Sequence, residues 1–172
     1  MACNIIEGFY LDCKNGAAGV KTLYFAQLEN VSSVTQSSGT TTAITMVSTK
    51  KFYPYQIKPE TCEVQIKNTP TNENGTVFTE TTITFILYKY NAKNRNIYDL
   101  LQQNRLVCVV EAIDQTNTGN ILIGESRGGD VTMGEGGLGK AMGDLNGITV
   151  TITFKEPSLP TVYTGTLASI TA

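Results

Sequence analysis

Ten of the sixteen glycines fall between Gly119 and Gly147, and no other segment limits the available folds so strongly. From Gly119 to Phe154 the chain reads GNILIGESRGGDVTMGEGGLGKAMGDLNGITVTITF. Two strand-like runs, Ile121–Gly124 and Ile148–Phe154, flank a glycine-rich loop at about 124–147. Such a loop either cradles a phosphate or lets backbones approach closely. Gly134 to Gly139 matches G-x-G-x-x-G, and Gly134 to Lys140 matches the first seven positions of a P-loop. A phosphate site also needs a helix after the loop. Here Ala141 stands where the Mg²⁺-ligating hydroxyl belongs, and a turn and an alternating strand follow. Glu135 and Asp130 add repulsion. The segment therefore reads as a long, pliable connection between strands.

The 172 residues form one domain, large enough to bury about 70% of the unfolded surface without a metal or disulfide. Thirteen basic residues against fifteen acidic ones give a net charge of −2, which excludes nucleic-acid binding driven by charge. Charged residues make up only 16% of the chain, as in a protein that covers much of itself with neighbours. No histidine is present, so the usual general base and commonest metal ligand are missing. Cys3, Cys13, Cys62 and Cys108 form no CxxC pair. Free buried thiols are expected, with a Cys3–Cys13 bridge as the alternative. The absence of a signal-like or membrane-spanning run implies a soluble protein made in a reducing cytoplasm.

Strands are expected at Asn4–Ile6, Phe9–Asp12, Val20–Leu28, Glu63–Lys67, Thr76–Tyr88 and Arg105–Ile113. Lys51–Lys58 reads as an extended edge because of Pro54. Asn68–Gly75 reads as a turn or exposed loop. Val31–Thr49 is nearly uncharged and rich in Ser and Thr, a hairpin with its tip at Ser37–Thr40. An exposed hairpin of this kind calls for a partner. Ala92–Asn104 spaces Ile97, Leu100 and Leu101 for one helix. Asn146-Gly147 reads as a two-residue turn into the last long strand. The tail Val162–Ala172 adds an edge strand or leaves as an arm. Nine to eleven strands and one helix make a mainly β protein, a β-sandwich or closed barrel with a helix laid against it. Asp12, Asp99, Asp114, Asp130 and Asp144 have no spacing that pairs carboxylates on one face. No catalytic, cofactor-binding or metal-binding residue is assigned, and no cofactor is expected.

The succession of features resembles tail tube (major tail) proteins of tailed bacteriophages, in the version seen among phages of Bacteroidetes-type hosts. The residues that carry the resemblance are Asp12-Cys13-Lys14-Asn15, Gly19-Val20-Lys21-Thr22-Leu23-Tyr24, Lys51-Phe52-Tyr53-Pro54-Tyr55, Asn74-Gly75-Thr76-Val77-Phe78, the helix, and Gly139 through Thr151. The match is a series of short motifs over most of the chain. It departs at Ile148, where an aromatic residue often follows Asn-Gly. The resemblance implies a sandwich or barrel-like fold and hexameric rings stacked into a tube in the virion tail. DNA would pass through the lumen without sequence-specific binding. Inner strands of neighbouring subunits would join into a β-lined channel. The partners implied are further copies of the chain and other tail proteins, with no membrane.

In that frame the residues Val34, Thr35, Gln36, Ser37, Ser38, Gly39, Thr40, Thr41 and Thr42 are expected to contact the next ring. Deleting Ser37–Thr42 would then abolish stacking and leave the monomer folded. Gly128, Gly129, Gly134, Gly136, Gly137 and Gly139 are expected to allow close contact between subunits. The competing readings are a ring protein that does not stack (terminator, neck or baseplate component), a carbohydrate- or ligand-binding β-sandwich, and a nucleotide hydrolase using the glycine loop.

Overall fold

The computed structural model describes residues 7–11, 13–71, 73–116 and 118–172. Among them eleven strands form one mixed sheet. They are β1 (Val20–Gln27), β2 (Val31–Ser37), β3 (Thr40–Met46), β4 (Tyr53–Gln56), β5 (Glu63–Thr71), β6 (Thr76–Tyr88), β7 (Leu106–Ala112), β8 (Asn120–Ile123), β9 (Gly129–Gly137), β10 (Gly147–Glu156) and β11 (Thr161–Tyr163). Helix α1 (Ala92–Gln103) lies between β6 and β7, and a one-turn helix α2 (Leu167–Ile170) follows β11. The mainly β expectation holds, with a second, short helix added.

The strand order β2-β3-β11-β8-β7-β9-β10-β6-β5 has one weak joint. There β7 meets β9 through the single pair Leu106–Gly129. On the β7 side the sheet also carries β1 and β4. On the other side lies a four-stranded limb, β9-β10-β6-β5. The two parts face each other, because Phe25 of β1, Tyr55 of β4 and Phe85 of β6 meet in one aromatic cluster. Their ring centroids lie 5.0, 5.6 and 6.1 Å apart. Burial pushes the Tyr55 phenol up to about 12.

Strand β7 is buried along its whole length, as the apolar run Leu106–Val110 suggests, with Glu111 its one charged member. Leu106, Cys108 and Val110 point into the core between the two parts. Val107 and Val109 point into a second core with Ile44, Phe52, Leu122, Tyr163 and Ile170. Strand β6 alternates as expected, with Thr79, Thr81, Ile83 and Phe85 buried. Helix α1 begins with the Asn91 side chain accepting from the Asn94 N–H at 2.8 Å. Its Ile97, Tyr98 and Leu101 join the first core.

Several expectations are corrected. Phe9–Leu11 form no strand and lie exposed, while Asn4–Ile6, Asp12 and the Cys3 half of the possible bridge lie outside the described residues. Strand β5 runs on through Asn68–Thr71, so the loop there is much shorter. Ladder pairing with β6 extends from Glu63–Thr84 to Thr71–Thr76 and overrides the turn-like composition. The tail does not add an edge strand. β11 lies inside the sheet, antiparallel to β8 and parallel to β3. The glycine-rich connection contains a nine-residue strand, β9, paired with β10. Asn146-Gly147 is not a tight hairpin turn, since neither residue has a positive φ. Instead Asn146 anchors the end of β6: its carbonyl accepts from Lys89 N–H at 2.7 Å and its Oδ1 from Tyr90 N–H at 2.9 Å.

Glycine is required where the sheet turns its corner. Gly124 and Gly128 have φ of +85° and +71°. A Cβ at Gly124 or Gly129 would overlap the Phe154 ring, which is fully buried. We predict that Gly129→Ala lowers unfolding free energy by about 1–3 kcal/mol in urea titrations. The control Gly137→Ala, with no atom nearer than 4.0 Å to the new methyl, stays within about 0.5 kcal/mol.

Candidate functional site

Neither glycine motif forms an anion site. The segment from Lys140 to Asn146 is turn and bend, with no helix. The N–H groups of Lys140 and Ala141 both donate to Asp144 Oδ2, at 2.7 and 2.8 Å. The donors a phosphate would use are thus held by the chain's own carboxylate. Those bonds, from Ala141 first and then Lys140, pull the Asp144 carboxyl below its ordinary range.

The glycines predicted for intersubunit contact are mostly committed within the chain. A Cβ at Gly134 would overlap the Tyr98 phenol, and one at Gly136 would press on the Gly147 carbonyl and Ile148. Gly129 lies under Phe154, Gly128 beside the Leu106 carbonyl, and Gly139 against Asp144. Only Gly137 of the six has open space around it. Their small size lets α1 and β10 approach β9, and Gly134, Gly136, Gly137 and Gly139 remain exposed.

The hairpin β2–β3 forms as expected, with Ser38 (φ 49°) and Gly39 (φ 78°) making its two-residue turn. It is not a free arm, however. Val34 packs on the second core, and Ile44 is buried in it. Thr41 is fully buried, and its hydroxyl lies 2.7 Å from that of Thr161, the first residue of β11. Thr35, Gln36, Ser37, Ser38 and Thr42 are exposed, and Thr40 is partly so. The expectation that deleting Ser37–Thr42 spares the monomer is therefore corrected: that deletion removes Thr41 and the β3–β11 pairing. Replacing Thr41 alone by Val strands the buried Thr161 hydroxyl and costs about 1–3 kcal/mol in thermal unfolding. The double variant Thr41→Val, Thr161→Val recovers most of that loss.

A different surface emerges on the outward face of β9-β10-β6-β5. Its middle is threonine: Thr82 and Thr84 on β6, and Thr149, Thr151 and Thr153 on β10. Thr84 and Thr151 hydroxyls lie 3.2 Å apart, and those of Thr132 and Thr153 lie 3.0 Å apart. Register places Glu63, Gln65 and Lys67 beside Thr84, Thr82 and Glu80, and places Asp130 and Glu135 beside Thr153 and Thr149. Lys155 pairs with Glu80 at 3.4 Å, and Arg105 with Asp130 at 3.6 Å. The middle of the face is polar with balanced charge, and Phe78, Ile86 and Met133 also lie on it by register.

Among the described residues, both edges of this limb are open. β5 pairs with β6 alone, and β9 beyond Gly129 pairs with β10 alone. Pro70 has no N–H, so its place in β5 fixes which residues turn their donors away from β6: Pro70 and, by period two, Asn68 and Ile66. The threonine alternation of β6 and β10 was readable in the sequence. The two edges were not, because edge status depends on sheet order. Pro70 was the one local signal.

Two carboxylates that spacing did not pair also come together. Glu156 is buried and accepts from the Arg127 N–H at 2.9 Å. Burial, and then the charge of Glu156, raise the Glu125 carboxyl, against a hydrogen bond with Gln36. Elsewhere Glu111 accepts from Lys21 Nζ at 2.7 Å and from Tyr24 Oη at 3.1 Å. Burial works to raise Glu111, but the hydrogen bonds from Lys21, Thr22 and Tyr24 outweigh it and leave the carboxyl lowered. A carboxyl lowered by folding stabilises fully above its unfolded value of about 4.3, and that contribution fades as pH falls through the folded value. The melting temperature of the wild type should therefore fall more steeply below about pH 4 than that of Glu111→Gln. Glu125 has the opposite sign, so Glu125→Gln should raise the melting temperature at pH 7.

Cys62 and Cys108 are free thiols, the second fully buried. Burial and then Glu63 push Cys62 up to about 12, which leaves it unreactive at neutral pH. Among the described residues no helix is long and apolar enough to cross a membrane. No protein-family profile, curated protein or solved structure matches the chain.

Proposed function

We propose that this chain is a structural subunit of a phage tail tube. In this reading it has a sandwich-like tail tube fold, assembles into hexameric rings, and stacks into a conduit for DNA in the virion. The observation that carries the reading is the four-stranded limb β9-β10-β6-β5, open at both edges and polar on its outward face. An open strand edge exposes unpaired backbone donors and acceptors, and pairing with another copy satisfies them. Edge β9 of one copy against edge β5 of the next is a heterologous contact, which repeats around a ring until it closes. Closure sets the outward faces side by side around the lumen.

The chemistry of that face supports the role. Threonine hydroxyls hydrate the wall, and Glu63, Glu80, Asp130 and Glu135 balance Lys67, Lys155 and, at the β7 end, Arg105 and Arg127. A wall without net positive charge does not hold passing DNA. The low overall charge fits a chain that buries much of its surface between copies.

Asn68→Pro tests the edge. Asn68 is exposed, and its N–H points away from β6, so the substitution removes an edge donor and leaves the β5–β6 ladder intact. Sedimentation velocity should show the wild type as rings and larger species and the variant as folded monomers with unchanged circular dichroism. Rings of normal size from the variant would contradict edge pairing at β5.

A further inference from the structure

The segment ahead of β1 and a groove at the far end of β1 are complementary in charge, and both are apolar. Phe9, Tyr10 and Leu11 are 89%, 86% and 92% exposed, three large apolar side chains in succession that none of the described residues covers. Acidic residues flank them in the sequence, Glu7 before and Asp12 after. The groove has a volume of about 230 Å³ and lies between α1, β1 and β4. Phe25, Tyr55, Tyr53 and Leu100 supply its apolar lining, and Lys50 and Lys51 supply its cationic side. Tyr53 and Leu100 are each 60% exposed at its rim, and the buried Phe25 forms its floor.

Position decides which copy fills the groove. The segment leaves the fold where Ala17 N–H donates to Asp114 at 3.1 Å and Gly19 O accepts from Ile113 N–H at 3.0 Å. That is the Val20 end of β1, beside the turn after β7. The groove lies at the Phe25–Gln27 end of the same strand, about 20 Å away at the rise of an extended strand. To reach its own groove, the segment would have to reverse and run back along β1. Reaching the groove of a second copy placed end to end needs no reversal.

We propose that Phe9–Leu11 of one copy docks in the Tyr53–Leu100 groove of the next, with Glu7 meeting Lys50 and Lys51. The contact is heterologous and directed along β1, so it builds an open stack rather than a closed pair. Apolar burial supplies the affinity, and the charges set the direction and reject the reversed orientation. The inference rests on the tube reading for its place between rings. It assigns that stacking contact to residues outside the β2–β3 hairpin.

Cysteine cross-linking tests it directly. Tyr10→Cys and Leu100→Cys are introduced together in a Cys3→Ser, Cys13→Ser background, and the protein is mildly oxidised and run on a non-reducing gel. Every copy carries both halves of the contact, so the expected result is a ladder of dimers, trimers and longer chains. A cross-link confined within single chains, or no cross-link, would overturn the proposal. A second measurement avoids new cysteines. Phe9→Ser with Leu11→Ser alters only exposed side chains and should raise the concentration needed for stacking at least about tenfold. Glu7→Lys should weaken stacking, and adding Lys50→Glu with Lys51→Glu should restore it. Stacking unchanged by the serine pair would contradict the proposal. A ladder formed without rings or tubes would instead remove the tube reading and leave the docking contact standing.

Discussion

The architecture depends on one close approach, the Phe154 ring lying over the backbone at Gly124 and Gly129. At that point β7 hands the sheet to β9 through one residue pair. A side chain at either glycine would hold the strands apart, and the positive φ of Gly124 and Gly128 would strain any other residue. With glycine there, the four-stranded limb swings back over β1 and β4, and the Phe25–Tyr55–Phe85 cluster closes between them. That arrangement buries one face of the limb and leaves the other, with its threonines, in water. The corner therefore decides which surface is available for assembly.

How much of this could be read from the sequence depended on how local each signal was. Period-two alternation in Thr76–Tyr88 and Ile148–Phe154 gave β6 and β10 as strands, because strand side chains alternate whatever the neighbours are. The run Arg105–Ile113 read as a buried strand, and β7 is one. Ser38-Gly39 marked its turn through the conformations the two residues accept. The glycine-rich stretch misled, since composition favours a loop there. The pairing that makes it β9 comes from β10, and the need for small residues comes from Tyr98, thirty-six positions earlier. β11 was read as an edge strand or arm for a similar reason: its partners β3 and β8 are set by tertiary order. No motif announces Lys140–Asp144 as a self-filled turn until Asp144 is seen accepting from both amides.

The shortage of charge and the surplus of open surface have one physical account. A strand edge and an apolar segment are both hazards for a monomer, and both become contacts when copies meet in a fixed orientation. The β5 and β9 edges lie across the limb, while the Phe9–Leu11 segment and its groove lie along β1. Two contacts in two directions are what a ring that also stacks requires. The β2–β3 hairpin, expected to do the stacking, is tied to the fold through the buried Thr41 and Ile44, while Thr35–Gly39 at its tip stay exposed.

Negative-stain electron microscopy of the purified wild-type chain over a concentration series tests the central claim most directly. The account predicts rings with a central opening that lengthen into tubes as concentration rises. Rings that never stack at any concentration would contradict the tube and leave a single-ring protein. Particles without a central opening throughout would contradict the β-lined conduit itself.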